Sequence, residues 1–248
     1  MMIFYKLSLA VIFCFAAIVL VLLFFVTAPY GKFLRKGWGP CIKTRWAWMI
    51  MEFPALFLMI LLYLLSGRYS MINTVFLILW SAHYIHRVLI YPFSQSGRMK
   101  PYPLLLVALA FLFNCLNGFA NGYGIFHFYY TFSWMMTWQF NAGIILFITG
   151  FVINKRADEK LRRLRSDNPQ EYIIPRGGLF KYVSSPHYLG EIIEWTGWAV
   201  MTWSLPGLAF AVFTFANLFP RAISSHKWYK EKFPDYPPER KALIPFVV

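Results

Sequence analysis

The chain has 248 residues, of which 59% are hydrophobic, 21% aromatic and only 14% charged, yet its formal net charge is +14. That much apolar surface exceeds what a soluble core of this length needs, which excludes an ordinary water-soluble domain. Nor does the charge form a nucleic-acid surface, because the basic residues are dispersed over four loops and two of these carry acids as well.

Seven stretches predict membrane spans, roughly 7–28, 46–66, 71–93, 102–120, 139–154, 188–204 and 205–220, judged against the ~17–25 apolar residues that a spanning helix needs. The last two are short and are divided by the turn Ser204-Leu-Pro206. With the N-terminus outside, the segments left inside are 29–45, 94–101, 155–187 and 221–248, which hold 5, 2, 8 and 6 Lys or Arg, 21 of the 24. Such asymmetry predicts an odd number of spans and a cytoplasmic C-terminus. The expected fold is an all-α, multi-pass integral membrane protein: seven transmembrane helices forming one domain over 1–248 in the lipid bilayer. The opening stretch is about twice the length of a signal-peptide core and no clear small-x-small site follows it, so it reads as an uncut first span. Cys14, Cys41 and Cys115 show neither paired spacing nor a metal motif.

Along the chain, the first chemistry-bearing residue is Glu52, the only carboxylate before residue 158, placed inside the second span. An acid at that depth costs roughly 2.5–3.5 kcal/mol on insertion scales. It is either satisfied by a neighbouring helix or part of a site, and a chain that otherwise avoids acids for so long favours the site. The third span then carries His83-Tyr84-Ile-His-Arg87. His83, His86 and Arg87 share one helical face. Arg87 could snorkel to the inner boundary and Tyr84 could sit in an aromatic belt. Alternatively, a tyrosine hydroxyl and a protonated carboxyl are both donors and together suit one ligand oxygen.

After the fifth span, Asn154, Asp158, Leu161 and Arg165 recur at spacings that place them on one helical face. Next come Tyr172-Ile-Ile-Pro-Arg-Gly-Gly178 and Pro186-His-Tyr-Leu-Gly190-Glu191-Ile-Ile-Glu194, with Glu191 and Glu194 one turn apart at the start of the sixth span. Arginines suit phosphates, acids suit ribose hydroxyls and close glycines let backbone approach a ligand. A juxtamembrane helix on anionic lipid would explain the arginines but not two glutamates opening a span. Neither a G-x-G-x-x-G fingerprint nor a Walker loop is present.

These residues resemble the membrane-embedded steroid 5-alpha-reductases. The resemblance covers most of the chain, through Glu52-Phe-Pro54, His83-Tyr84-Ile-His-Arg87, Asn154-x3-Asp158-x2-Leu-Arg-x-Leu-Arg165 and Gly177-Gly-Leu-Phe-x-Tyr-Val-Ser184. It continues in Leu189-Gly-Glu-Ile-Ile-Glu-Trp195, Thr202-Trp-Ser-Leu-Pro206 and Asp235-Tyr-Pro-x2-Arg-Lys-Ala-Leu-Ile-Pro-Phe246. It implies reduction of the C4–C5 double bond of a 3-oxo-4-ene steroid by NADPH, with Glu52 and Tyr84 holding the ketone oxygen. A carboxyl taken out of water favours its neutral form, which donates a hydrogen bond. Trp48, one turn before Glu52, is expected to line the steroid pocket. Matched residue by residue, the resemblance assigns Lys100, Asn154, Asp158, Arg165, Tyr172, Glu191, Tyr229 and Arg240 to NADPH, most of them within 139–248. Loops 94–101, 155–187 and 221–240 would close over it.

Two departures bear on the cofactor. Tyr172-Ile173-Ile-Pro175 stands where the family usually has Tyr-Arg-Ile-Pro, and Pro186-His187-Tyr188 where it has an asparagine, so His187 takes that donor's place. A histidine run expected near the end shrinks to Ser224-Ser-His226. The implied partners are a steroid-like enone and the bilayer, without an evident obligate protein partner; the membrane would be the inner membrane of a bacterium or the endoplasmic reticulum of a eukaryote. Competing readings are reductases of polyprenols or enoyl-thioesters, and an S-adenosylmethionine-dependent membrane methyltransferase suggested by Ser185-Pro-His-Tyr-Leu-Gly190, which leaves Glu52 and Tyr84 without a role. A non-enzyme receptor or transporter is the remaining class; the last span has no lysine for a retinal Schiff base, and no repeated broken helices point to a transporter.

Overall fold

The computed structural model describes residues 1–94, 100–128, 130–168 and 171–248. Helix α1 (Met2–Phe25) is followed by α2 (Thr44–Ser66), which ends at Gly67 in the left-handed region, φ 64°. α3 (Met71–Ile85) starts at Ser70, whose hydroxyl accepts from the Asn73 amide. It passes without a break through a π-helical segment, His86–Ile90, into the short α4 (Tyr91–Ser94). Such wide turns are frequent at functional sites because they reorient side chains within a continuing helix. Two short strands, β1 (Cys41–Ile42) and β2 (Tyr102–Pro103), pair antiparallel and tie the loop between α1 and α2 to the start of α5 (Leu104–His127).

α6 (Trp138–Asp167) is capped by Thr137, and α7 (Pro186–Thr202) ends at Trp203, whose φ of 45° turns the chain back. Ser204 then caps α8 (Leu205–Lys232), accepting from Gly207, with Pro206 in the first turn where no amide partner is lost. The expected turn at Ser204-Leu-Pro206 is thus a helix boundary. Among the described residues, the regular structure is helical apart from the β1–β2 pair and one bridge, Val183 with Lys241, which ties the C-terminal segment to the chain just before α7.

Among the described residues, five stretches are long and apolar enough to cross a membrane: Met2–Phe25, Thr44–Ser66, Met71–Ser94, Leu104–His127 and Leu205–Lys232. The fifth and sixth expected spans do form helices, α6 and α7, but neither meets that criterion: the last third of α6 is heavily charged and α7 has only 17 residues. The expected ends at 154 and 220 fall short of the observed helices, which continue to Asp167 and Lys232. Polar residues there extend the helices beyond the apolar stretch, and hydropathy does not register them. Of the loops expected to close over a cofactor, residues 95–99 and 169–170 lie outside the described residues.

α6 and α7 pack most intimately, along a seam of glycines. A Cβ on Gly150 would lie 2.2 Å from the Glu194 backbone nitrogen, and one on Gly190 would lie 2.5 Å from that of Asn154. Gly143 and Gly197 meet Met201 and Phe147 as closely. Small residues let helix backbones approach in this way inside membranes, where van der Waals contact replaces the hydrophobic effect between helices. The seam fixes Asn154 on α6 against Glu191 and Glu194 on α7. Beside it lies a buried aromatic core of Trp80, Trp195 and Trp198, with the Trp80 indole donating to the Ala55 carbonyl of α2 at 3.0 Å.

Candidate active site

One cavity of about 670 Å³ runs through the helices, a size that suits organic ligands, whose pockets span roughly 300–1,000 Å³. One end is apolar, walled by Phe15, Val19 and Leu22 of α1, Phe113 of α5 and Phe210 and Phe213 of α8. The other is polar and opens towards the basic loops. Trp48, Glu52, Tyr84, Lys100, Asp158, Arg165, Tyr172, His187, Glu191 and Tyr229 all line it, so the residues singled out in the sequence meet in one space. Asn154 and Arg240 stand behind the wall. The Asn154 amide donates to the His187 carbonyl at 2.9 Å and to Glu191 at 3.3 Å, and Arg240 donates to the Pro175 carbonyl at 3.1 Å. They shape the polar end through the residues they hold.

Glu52 and Tyr84 come from α2 and α3. The Asn114 amide of α5 donates to the Met51 carbonyl at 2.7 Å and to Glu52 Oε2 at 3.4 Å. Arg87 lies 3.6 Å from Glu52 Oε1 and 4.0 Å from Asp158 Oδ2, with its guanidinium 4.4 Å from the centre of the Trp48 ring. Arg87 is therefore buried between two acids rather than extended to the boundary, and it joins the Glu52 end of the cavity to the Asp158 end.

Tyr84 is buried and terminates a hydrogen-bond chain. The Trp198 indole, which can only donate, gives its N–H to Asn121 Oδ1 at 2.9 Å. That orients the Asn121 amide so that its nitrogen donates to Asn117 Oδ1, again at 2.9 Å. The Asn117 nitrogen in turn faces the Tyr84 oxygen at 3.4 Å. Because each group is committed by the one before it, the Tyr84 oxygen accepts and its own proton is left to donate. Linked donors of this kind polarise one another.

These asparagines were not among the expected site residues, although Asn114, Asn117 and Asn121 recur at helical spacing and amides are conspicuous in a membrane span. Two cations were missed as well. Lys32 lines the cavity with its ammonium 2.8 Å from Ser225 Oγ and over the rings of Trp228 and Tyr229. Burial, with the Arg165 charge adding to it, pulls its pKa down from 10.5 to about 7. Arg221 also lines the cavity; among the described residues its recorded partners are the Asn217 amide oxygen and the faces of Tyr30 and Tyr188, with no carboxylate. Partly buried cations with no carboxylate recorded beside them among the described residues are an arrangement that an anionic ligand would relieve.

The two departures also fall here. Ile173 lines the cavity with an apolar side chain, while His187 lines it with an Nδ1 that is buried and, among the described residues, has no hydrogen-bond partner. His226, not expected to be catalytic, bonds Ser184 Oγ at 2.6 Å.

Comparison with known proteins follows the same lines. The family model described as 3-oxo-5-alpha-steroid 4-dehydrogenase matches residues 100–248. The steroid 5-alpha-reductase of Arabidopsis thaliana is 47% identical over 239 residues, 92% of this chain and 90% of that protein. The 3-oxo-5-alpha-steroid 4-dehydrogenase 1 of Bos taurus is 41% identical over 236 residues (92% and 91%), and that of Homo sapiens 41% over 222 residues (88% and 85%).

Proposed function

The chain belongs to the 3-oxo-5-alpha-steroid 4-dehydrogenase family, oxidoreductases acting on CH–CH groups, and from that premise we propose that it reduces the C4–C5 double bond of 3-oxo-4-ene steroids with NADPH. The observation that carries this reading is the shared cavity. Glu52 and Tyr84, from different helices, lie where an apolar wall gives way to a polar end that carries cations and acids.

The residues at the polar end suit NADPH. Lys32, Arg165 and Arg221 suit its phosphates, Glu191 and Asp158 suit ribose hydroxyls, and the partnerless His187 Nδ1 and Asn154 Oδ1 are buried polar atoms that a ligand or water would satisfy. NADPH, when bound, supplies the hydride that adds to the β-carbon of the enone. As hydride arrives, negative charge develops on the ketone oxygen. Tyr84 donates to that oxygen, its proton aimed by the asparagine chain. Glu52 donates beside it in its neutral form, accepting from Asn114 on Oε2. Arg87, at 3.6 Å, is outside good hydrogen-bonding distance of Glu52 and supplies positive potential. The apolar wall excludes water, which makes each of these donors worth more. In the membrane, the proposed topology is seven spans with the N-terminus outside, α6 and α7 crossing within the shelter of the other helices.

The test is detergent-solubilised protein with NADPH and progesterone or testosterone, product read by mass spectrometry, beside Glu52→Gln and Tyr84→Phe. A gain of two hydrogens is expected, with kcat falling about 10²–10³-fold in Tyr84→Phe, the usual cost of one oxyanion donor. NADPH binding without turnover of any 3-oxo-4-ene steroid would overturn the substrate assignment, and absence of NADPH binding by folded protein would overturn the whole reading.

A further inference from the structure

Reduction of an enone needs a proton at the α-carbon as well as a hydride at the β-carbon, and Glu52 and Tyr84 are committed to the oxygen. The geometry points to His83 and Glu194 as the source of that proton, an assignment that rests on the function proposed above. His83 Nδ1 lies 2.7 Å from Glu194 Oε1, and both side chains are almost wholly enclosed, at 3% and 0% exposure. His83 also lines the cavity and precedes Tyr84 on α3, its ring centre 5.1 Å from that of the tyrosine. The α-carbon of a bound ketone is two bonds from the oxygen that Tyr84 holds, so the neighbouring imidazole is the titratable group placed to reach it.

A pin between α3 and α7 would need only one hydrogen bond between amides, of which this protein has several. An acid and an imidazole enclosed in the membrane core are costly unless the pair is neutral as a whole. In the neutral pair the carboxyl proton lies between Oε1 and Nδ1, and the second imidazole proton is on Nε2. Once the β-carbon has received hydride, Nε2 gives its proton to the α-carbon. The enolate electron pair becomes the new C–H bond, the carbonyl is restored, and the Oε1 proton passes to Nδ1. The imidazole ends neutral in its other tautomer and Glu194 ends as a carboxylate.

The carboxylate is then recharged with a proton from solvent. Lys155 of α6 is close enough for its charge to act on Glu194, and its ammonium sits 2.9 Å from His86 Nδ1, three residues along from His83 towards the inner face. Among the described residues Glu194 Oε2 is buried without a hydrogen-bond partner, which leaves a lone pair free to accept a proton. Glu194 is thus a positioning and proton-supplying residue that acts through His83.

The experiment is steroid reduction in D2O with protiated NADPH, comparing wild type with His83→Gln and Glu194→Gln. Wild type is expected to place deuterium on a single face of the α-carbon. Both variants are expected to lose about 10²–10⁴-fold in kcat, the usual contribution of a general acid, and to place the residual deuterium on both faces. NADPH affinity and the thermal midpoint, measured in parallel, report on folding. If neither variant folds, His83→Gly supplemented with imidazole is the second measurement, and recovered single-face labelling supports the assignment. Unchanged kcat and single-face labelling in folded variants, or no recovery with imidazole in a folded His83→Gly, would overturn it while leaving the reductase intact. A wild-type enzyme that reduces no steroid enone would overturn the underlying reading, and this assignment with it.

Discussion

Lys32 gives the protein a measurable dependence on pH. Its folded pKa of about 7 lies below the ordinary 10.5 because burial, then Arg165, disfavour the charged form. Between those values the unfolded chain binds a proton that the folded chain does not, so stability of the ligand-free protein rises with pH across this window. An anionic cofactor reverses the balance by favouring the ammonium. Binding then takes up a proton wherever free Lys32 is neutral, and affinity falls as pH rises above about 7. The protonated fraction is about one half at pH 7 and about 3% at pH 8.5, so the Kd for NADPH should rise roughly fifteen-fold between them. Isothermal titration calorimetry in buffers of different ionisation enthalpy should show close to one proton taken up at pH 8.5 and about half a proton at pH 7. Lys32→Met should bind more weakly at pH 7 and lose the slope. A Kd that is flat over this range, with no proton uptake, would refute the placement of Lys32 beside the cofactor anion.

The glycine seam supplies a second prediction. Gly190→Ala puts a methyl 2.5 Å from the Asn154 backbone, so α6 and α7 must part; a loss of about 1–3 kcal/mol is expected, seen as a lower thermal midpoint together with weaker NADPH binding, and an unchanged midpoint would contradict the packing. Asn117→Leu removes the donor that orients Tyr84 and should lower kcat by about two- to twelve-fold, equivalent to 0.5–1.5 kcal/mol. In a Tyr84→Phe background the same change should leave kcat unaffected, whereas additive losses would show that Asn117 acts elsewhere. Arg87→Met leaves Asp158 without the cation 4.0 Å from it and takes positive potential away from the neutral Glu52; it should cost about 1–3 kcal/mol of stability, readable by thermal unfolding in detergent, and wild-type stability would mean that Asp158 does not depend on Arg87.

Much of the lining of the candidate site is legible in the sequence because a membrane makes polar residues conspicuous. Glu52 and Tyr84 stood out against apolar surroundings, and Asn154, Asp158 and Arg165 shared a helical face that α6 displays. What could not be read was pairing across the fold. His83 and Glu194 are 111 residues apart, and no local pattern says that one helix will carry its acid to another's imidazole. Arg87 had two readings in sequence, and only the positions of Glu52 and Asp158 on other helices decide between them. The asparagines of α5 were overlooked because each alone is a modest polar residue. Their meaning comes from Trp198, a donor from α7 that fixes the direction of the whole chain. Helix ends failed for a different reason: α6 and α8 continue as helix through charged sequence, where hydropathy is silent but backbone hydrogen bonding is not.

The apolar wall formed by α1 differs in kind from the rest of the cavity. This helix contacts α5 and α8, exposes many apolar side chains on its outer face, and lines the cavity with hydrocarbon side chains, Phe15, Val19, Leu22 and Leu23. The groups proposed to hold the carbonyl and the glycine seam are elsewhere, on α2, α3, α5, α6 and α7. On the proposed function, α1 therefore shapes the space for a ligand's skeleton without carrying a group proposed to act on it, while Phe113 of α5 and Phe210 and Phe213 of α8 complete the same wall. Lineages could redraw α1 and acquire new substrates while the catalytic geometry stays as it was, and a protein engineer could exchange that one helix with the same intent.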